Sequence, residues 1–412
     1  MLQNTFASLR HRNFRYFWIG QCISLMGTWM QRAAQIWLVY SLTKSPALLG
    51  LLGVFQSVPM LVLALPAGVY ADRLPKRRIL LITQTVFMLQ AFVLSALVWT
   101  GQVRYWQILV LITIFGITQT LDNPTRQSFF IELVGKEDLM NAISLNSSIS
   151  NLAKIVGPSI AGIVMAELGP ALCFLLNGIS YLAVIYGLFL ITAEGAPAKT
   201  LDRSLNLYAQ AREGLAYVWN GGTLRFTMLL MGAVSVFTHN TTIIIPVFVD
   251  QVLNKGVREY GLLMSASGMG ALIGALTMAS RSRKGLNGLM MIGCGILLCV
   301  IQMVTGFTRN YVLAALLIAA MGFVNMAFSN MSNSTLQMNS SDEFRGRVMS
   351  VYAFVHNGGT PVGNSIAGAI MESMGAGMGF FVGGAATLAV MTALLASQGK
   401  SLRSTLLARV TA

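Results

Sequence analysis

Two cations stand inside long apolar runs, Arg32 and Lys154. A charge at the centre of a membrane helix costs about 2.5–3.5 kcal/mol on insertion scales, so it faces protein or a wet cavity rather than lipid. Thr28, Gln31 and Gln35 recur around Arg32 at three- and four-residue spacing, which on a helix makes one polar stripe. Lys154 shares a helical face with Asn151 and Pro158. His239 and Asn240 fall near the middle of another apolar run, Asn325 and Asn330 in a later one, and His356 with Asn357 in the next. Gln56 and Gln119 complete the set. Facing inward, these groups could bind a small molecule, and two cations without a neighbouring acid favour anionic or neutral amphiphiles over lipophilic cations. The other reading of the Asn and Gln residues is helix-to-helix hydrogen bonding, worth about 0.6 kcal/mol per bond. Both readings stay open. His239 and His356 are candidate proton carriers because imidazole titrates near neutral pH; Asp122 is the third candidate. No carboxylate is expected mid-span, since Asp122 and Glu132 fall toward one end of their run.

Other chemistries lack their residues. His11, His239 and His356 show no metal-ligand spacing, and Cys22, Cys173, Cys294 and Cys299 lie in apolar stretches. There is no glycine loop followed by Lys-Ser/Thr to cradle a phosphate, and no catalytic constellation. We therefore expect no metal, no cofactor and no enzyme activity. Of the 412 residues 55% are hydrophobic and 10% charged, against about 25% charged in a soluble domain. That balance places the chain in a lipid bilayer. The net charge of +14 then reads as loop residues that set membrane orientation, not as a nucleic-acid surface.

A bilayer core requires roughly 20 apolar residues per helix. Such runs fall near 17–41, 47–70, 79–99, 106–122, 143–166, 171–192, 226–249, 261–280, 287–307, 312–331, 348–371 and 378–397. The expected fold is all-α, with 12 transmembrane helices in two halves. Residues 1–192 form the first six-helix bundle. Residues 193–225 form a linker in which Leu205–Trp219 could lie as a helix on the membrane surface. Residues 226–412 form the second bundle and a short basic tail. Most of the 28 Lys and Arg residues fall on one side of these spans, and only Lys44, Arg104, Lys255, Arg258 and Arg309 fall in loops on the other. The basic side is expected to be cytoplasmic, which puts both termini there.

The halves repeat at a fixed offset of 206 residues: Ile149–Val184 and Val355–Val390 are identical at 14 of 36 positions without a gap. The pairs include Asn151 with Asn357, Gly157 with Gly363, and the Ser-Ile-Ala-Gly runs at 159–162 and 365–368. A direct repeat of this kind is the pattern of transporter halves that bind substrate between them near the midplane.

After span two the chain reads Gly68-Val-Tyr-Ala-Asp72-Arg73-Leu-Pro-Lys76-Arg77-Arg78. This loop resembles the signature of the major facilitator superfamily, with Pro75 where that family has glycine. Gly27-Thr28-Trp29-Met30-Gln31, Asp122-Asn123-Pro124-Thr125-Arg126-Gln127 and Gly157-Pro158 are similar to the bacterial branch of enterobactin exporters and drug exporters. Gly157, Pro158 and Gly162 resemble part of the antiporter motif, although Ala153 and Ile149 replace its upstream glycines. The resemblance implies a monomer in the bacterial cytoplasmic membrane that exports small organic molecules by alternating access, with protons as the exchange partner. A nutrient importer or uniporter on the same fold is the alternative. It also implies a cavity lined by spans 1, 4, 5, 7, 10 and 11, and a cytoplasmic gate made by Gly68, Asp72, Arg73, Lys76, Arg77, Asp122, Arg126, Glu343 and Arg347. Relatives carry an acid at the position of Ile36, which this chain lacks.

Overall fold

In lipid every backbone N–H and C=O must be satisfied within the protein, and for these long apolar runs the helix is the local solution. The computed structural model describes residues 6–193, 207–281 and 288–397; the side chains of 64–73, 207–211 and 281 are not described. Among the described residues there is no strand. The membrane helices of the first half are α1 (Arg12–Thr43), α2 (Pro46–Arg73), α3 (Lys76–Trp99), α4 (Tyr105–Val134), α5 (Leu139–Leu168) and α6 (Pro170–Leu190). A shorter α7 (Leu207–Asn220) precedes the second half, where a linker helix was expected. There follow α8 (Gly222–Phe237) with α9 (Thr241–Gln251), α10 (Val257–Arg281), α11 (Gly288–Phe307), α12 (Tyr311–Met338), α13 (Asp342–Met374) and α14 (Ala376–Ser397). With α8 and α9 counted as one broken span, the described residues form twelve spans, the number the sequence predicts. The basic tail lies outside the described residues.

Among the described residues, nine of these spans are long and apolar enough to cross a bilayer by length and composition alone. The other three, α1, α4 and α13, run for 32, 30 and 33 residues. They are the helices that carry Arg32, Asp122 with Arg126, and His356 with Asn357. Charged and titratable groups in such spans face protein or a wet cavity rather than lipid.

The chain forms two compact units. The first comprises Met1–Lys44, Phe55–Leu201 and Gly256–Ser265; the second comprises Ser45–Val54, Asp202–Lys255 and Ala266–Ala412. In the first, α6 packs on α1 and α3. Phe14, Phe17, Phe129 and Phe130 meet edge to face at centroid distances of 6.0–6.2 Å, the arrangement aromatic quadrupoles favour. In the second, α14 packs on α11 and α8, and α13 on α8 and α7.

Three sequence expectations change. Span four does not stop near residue 122: α4 continues to Val134 through Pro124. Asp122 therefore lies inside a helix and is 1% exposed, so this protein does have an interior carboxylate. Thr83 and Gln84 of α3 and Arg126 of α4 satisfy its carboxylate in place of water. Span eleven starts at Asp342 rather than near residue 348, with Asp342 and Glu343 in its first turn, where acids suit the positive helix end. Span seven is not continuous. It breaks at Thr238–Asn240, which puts His239 at the break.

Candidate functional site

In the first unit, α1 and α5 meet at Gly157. A Cβ there would lie 2.7 Å from Trp29 Cβ and 2.9 Å from the Met30 nitrogen, so only glycine lets the helices approach this closely. The approach carries Lys154, one turn earlier, over the Trp29 indole at 5.7 Å. Arg32, three residues on from Trp29, covers the same indole at 5.1 Å. The ring quadrupole attracts both cations. Arg32 Nη2 also donates to Gln56 Oε1 at 3.3 Å, and neither Arg32 nor Lys154 is paired with an acid among the described residues. Both side chains are exposed. Beside them Tyr260 stacks on Trp37 at 5.3 Å and donates to the Ala33 carbonyl at 3.3 Å.

In the second unit the cluster is built on imidazoles. His239 shares a 2.8 Å hydrogen bond between Nε2 and Asn325 Oδ1. Its ring lies 5.0 Å from that of His356. Tyr352, one turn before His356, stacks on it at 5.8 Å. The Ser235 hydroxyl donates to the His356 carbonyl at 2.6 Å. His356 Nδ1 is buried with no hydrogen-bond partner among the described atoms.

A family model described as transmembrane secretion effector matches residues 3–408. The chain belongs to that family. It is thus a major facilitator transporter, as the resemblance of the signature loop implies. The chain is similar to the staphyloferrin A transporter of Staphylococcus aureus, 24% identical over 91% of this chain and 94% of the relative. It is also similar to the multidrug efflux pump Tap of Mycolicibacterium fortuitum, 27% identical over 82% of this chain and 84% of the relative. The crystal structure of the nucleoside transporter NupG covers 93% of this chain and 98% of its own with a TM-score of 0.73, at 13% identity, and so shares the fold.

The remaining candidates distribute unevenly. Gln31 accepts from Asn177 at 2.7 Å and donates to Gln90 at 2.9 Å, inside the bundle. Thr28 bonds to Tyr181 at 3.0 Å. Gln35 is buried, and Asn240 donates back to the Val236 carbonyl at 2.6 Å. Thr28 and Gln31 thus tie α1 to α3 and α6, while Gln35 and Asn240 are buried without an interhelical bond among the described residues, and none of the four bonds to Arg32 or Lys154. Asn357 is exposed and donates to the Ala353 carbonyl at 2.9 Å. Asn151, Gln119 and Asn330 are half-buried.

Of the gate residues, the side chains of Gly68, Asp72 and Arg73 lie outside the described residues. Lys76 pairs with Glu132. Arg77 donates to the carbonyls of Leu188 at 2.7 Å and Phe189 at 3.0 Å, closing the C-terminal end of α6 where a cation suits the dipole. Asp122 accepts from Thr83 and Gln84, each at 2.8 Å, and pairs with Arg126, which also donates to Gln21. Glu343 is exposed. Arg347 pairs with Glu213 of α7 at 3.0 Å and lies over Phe344. The antiporter-like residues grip Gly256–Ser265: a Cβ on Gly162 would lie 3.0 Å from Gly261 Cα, and Ser159 donates to Ser265 at 2.6 Å.

Sequence reasoning passed over Trp29, Tyr260 and Tyr352. Two of them carried a signal. Trp29 stands three residues before Arg32 and Tyr352 four before His356, the spacings at which helical side chains meet.

Proposed function

We propose that this transporter exports anionic or neutral amphiphilic small molecules in exchange for protons. The observation that carries the substrate class is the pair Arg32 and Lys154, both on Trp29 and neither neutralised by a described acid. An aromatic or carboxylate-bearing ligand satisfies such a site by stacking and by charge. The names of the relatives agree, since a siderophore transporter and a drug pump are among them.

The His239–His356 pair is the proton-handling centre. Its rings are close enough to be joined by one water. Asp122 is the weaker candidate because Arg126, Thr83 and Gln84 already occupy its carboxylate. The gate formed by the signature loop, the halves 1–192 and 226–412 joined by the linker 193–225, cytoplasmic termini, a bacterial inner-membrane location and a monomeric state complete the reading.

The test uses proteoliposomes with an imposed pH gradient and a trapped pH-sensitive dye. Anionic, neutral and cationic compounds are added in turn. Proton flux triggered by anions, and strongly reduced in His239→Ala and in Lys154→Ala, is expected. Movement of substrate without proton flux overturns the antiport and leaves a uniporter. Handling of cationic dyes with anions ignored overturns the substrate class.

A further inference from the structure

The second unit carries an apolar groove of about 560 Å³ that no part of the transport reading uses. Leu215 and Trp219 of α7 form one wall; Val351 and Val355 of α13 and Leu394 of α14 form the other. Gly232 of α8 forms the floor, where an added Cβ would meet only Val355 Cγ1 at 3.4 Å. The wall made by α7 is fastened in place, since Glu213 pairs with Arg347 and Tyr217 stacks on Phe344 at 4.4 Å.

One cation lies on the groove, Arg225. Its guanidinium donates to the Trp219 carbonyl at 3.4 Å and covers the Trp219 ring at 6.0 Å. Among the described residues it has no acidic partner, and Glu213 is engaged by Arg347. An occupant that fits must be a long apolar body with a single anionic end. Trp219 and Leu215 are more than half exposed, an apolar edge that water does not favour and that acyl chains cover. We propose that this groove binds an anionic phospholipid, its phosphate on Arg225 and one acyl chain along the aliphatic walls between α7 and the bundle. The lipid wedges α7 against α13 and α14.

The protein is reconstituted into phosphatidylcholine vesicles in which a minor fraction of lipid is phosphatidylglycerol with brominated acyl chains, or the same fraction of brominated phosphatidylcholine. Bromine quenches nearby indoles, and the Trp219 component is isolated by subtracting the signal of Trp219→Phe. The expected result is a preference of about fivefold for phosphatidylglycerol, the size one interfacial arginine supplies. Arg225→Gln should abolish the preference while both lipids still quench, and Arg225→Lys should keep it. Gly232→Leu, which fills the floor, should weaken quenching by both lipids. Equal quenching by the two lipids in the wild-type protein overturns the proposal. So does a preference that survives Arg225→Gln, and so does unchanged quenching in Gly232→Leu, which would reduce the effect to surface enrichment of charge.

Discussion

The two units solve the same packing problem and load it with different chemistry. At the offset of 206 residues, Gly157 is matched by Gly363 and Met30 by Val236. Each glycine lies against the matched residue of its own unit: Gly157 against the Met30 nitrogen, Gly363 against the Val236 carbonyl. The helix crossing is thus repeated. The charges are not. The first unit places Arg32 and Lys154 around Trp29; the second has Thr238 and Thr360 at the matched positions and sets His239, His356, Asn325 and Tyr352 nearby. Cationic side chains suit holding an anion, and imidazoles suit exchanging a proton. Duplication preserves geometry because a misfit at a glycine crossing is costly, whereas cavity side chains are free to diverge.

The sharpest break in that comparison removes the fixed charge. The double variant Arg32→Gln with Lys154→Gln should lower kcat/KM for an anionic substrate about a hundredfold, which is about 2.7 kcal/mol of lost transition-state stabilisation. Neutral substrates should change far less, and the initial-rate assay in proteoliposomes reads both. An equal loss for both classes would mean the cations are structural.

Next is the shared crossing. Gly363→Ala should destabilise the protein by about 2 kcal/mol and Gly157→Ala by less, since overpacking costs about 1–3 kcal/mol. The Cβ at 363 would sit 2.0 Å from a backbone oxygen, whereas at 157 the nearest atom, at 2.7 Å, belongs to a side chain. Unfolding by denaturant in detergent measures the difference, and the reverse order would undo the claimed equivalence.

Removing one imidazole is the third change. His239→Ala should reduce coupled proton flux about tenfold, a difference of about 1.4 kcal/mol, while binding of an anionic substrate by equilibrium dialysis stays within roughly twofold of the wild type. Binding lost together with flux would place His239 in the substrate site instead.

The smallest expected effect is Asn325→Ala, which deletes the partner of His239. Loss of one interhelical hydrogen bond is worth about 0.6 kcal/mol, so flux should fall less than about threefold. Its pH profile should shift, because Asn325 no longer orients the ring.

Some of this was legible without coordinates. The span count follows from hydropathy, because bilayer thickness and backbone satisfaction leave few alternatives, the two halves were read from the 206-residue register, and the family was legible as the resemblance of the loop around Asp72-Arg73. Arg32, Lys154, His239 and His356 stood out because charge and titratable groups are costly in lipid. The polar amides were not legible in the same way. Gln31 and Asn240 read like Gln56 and Asn325 in sequence, yet the first two bond within the bundle and the last two meet Arg32 and His239. An amide is equally content in either place, so composition cannot sort them. Nor did hydropathy reveal the break at Thr238–Asn240 or the continuation of α4 to Val134, since a helix end inside a bundle depends on which neighbours complete the hydrogen bonds.

By itself, then, the sequence determined that this is a twelve-span transporter and where its costly residues lie, because the bilayer is a uniform solvent that penalises polarity wherever it occurs. Only the tertiary structure decided which of those residues share a site. Lys154 reaches Trp29 because α5 touches α1 at Gly157, and two residues 125 positions apart meet by helix packing, which no local spacing encodes.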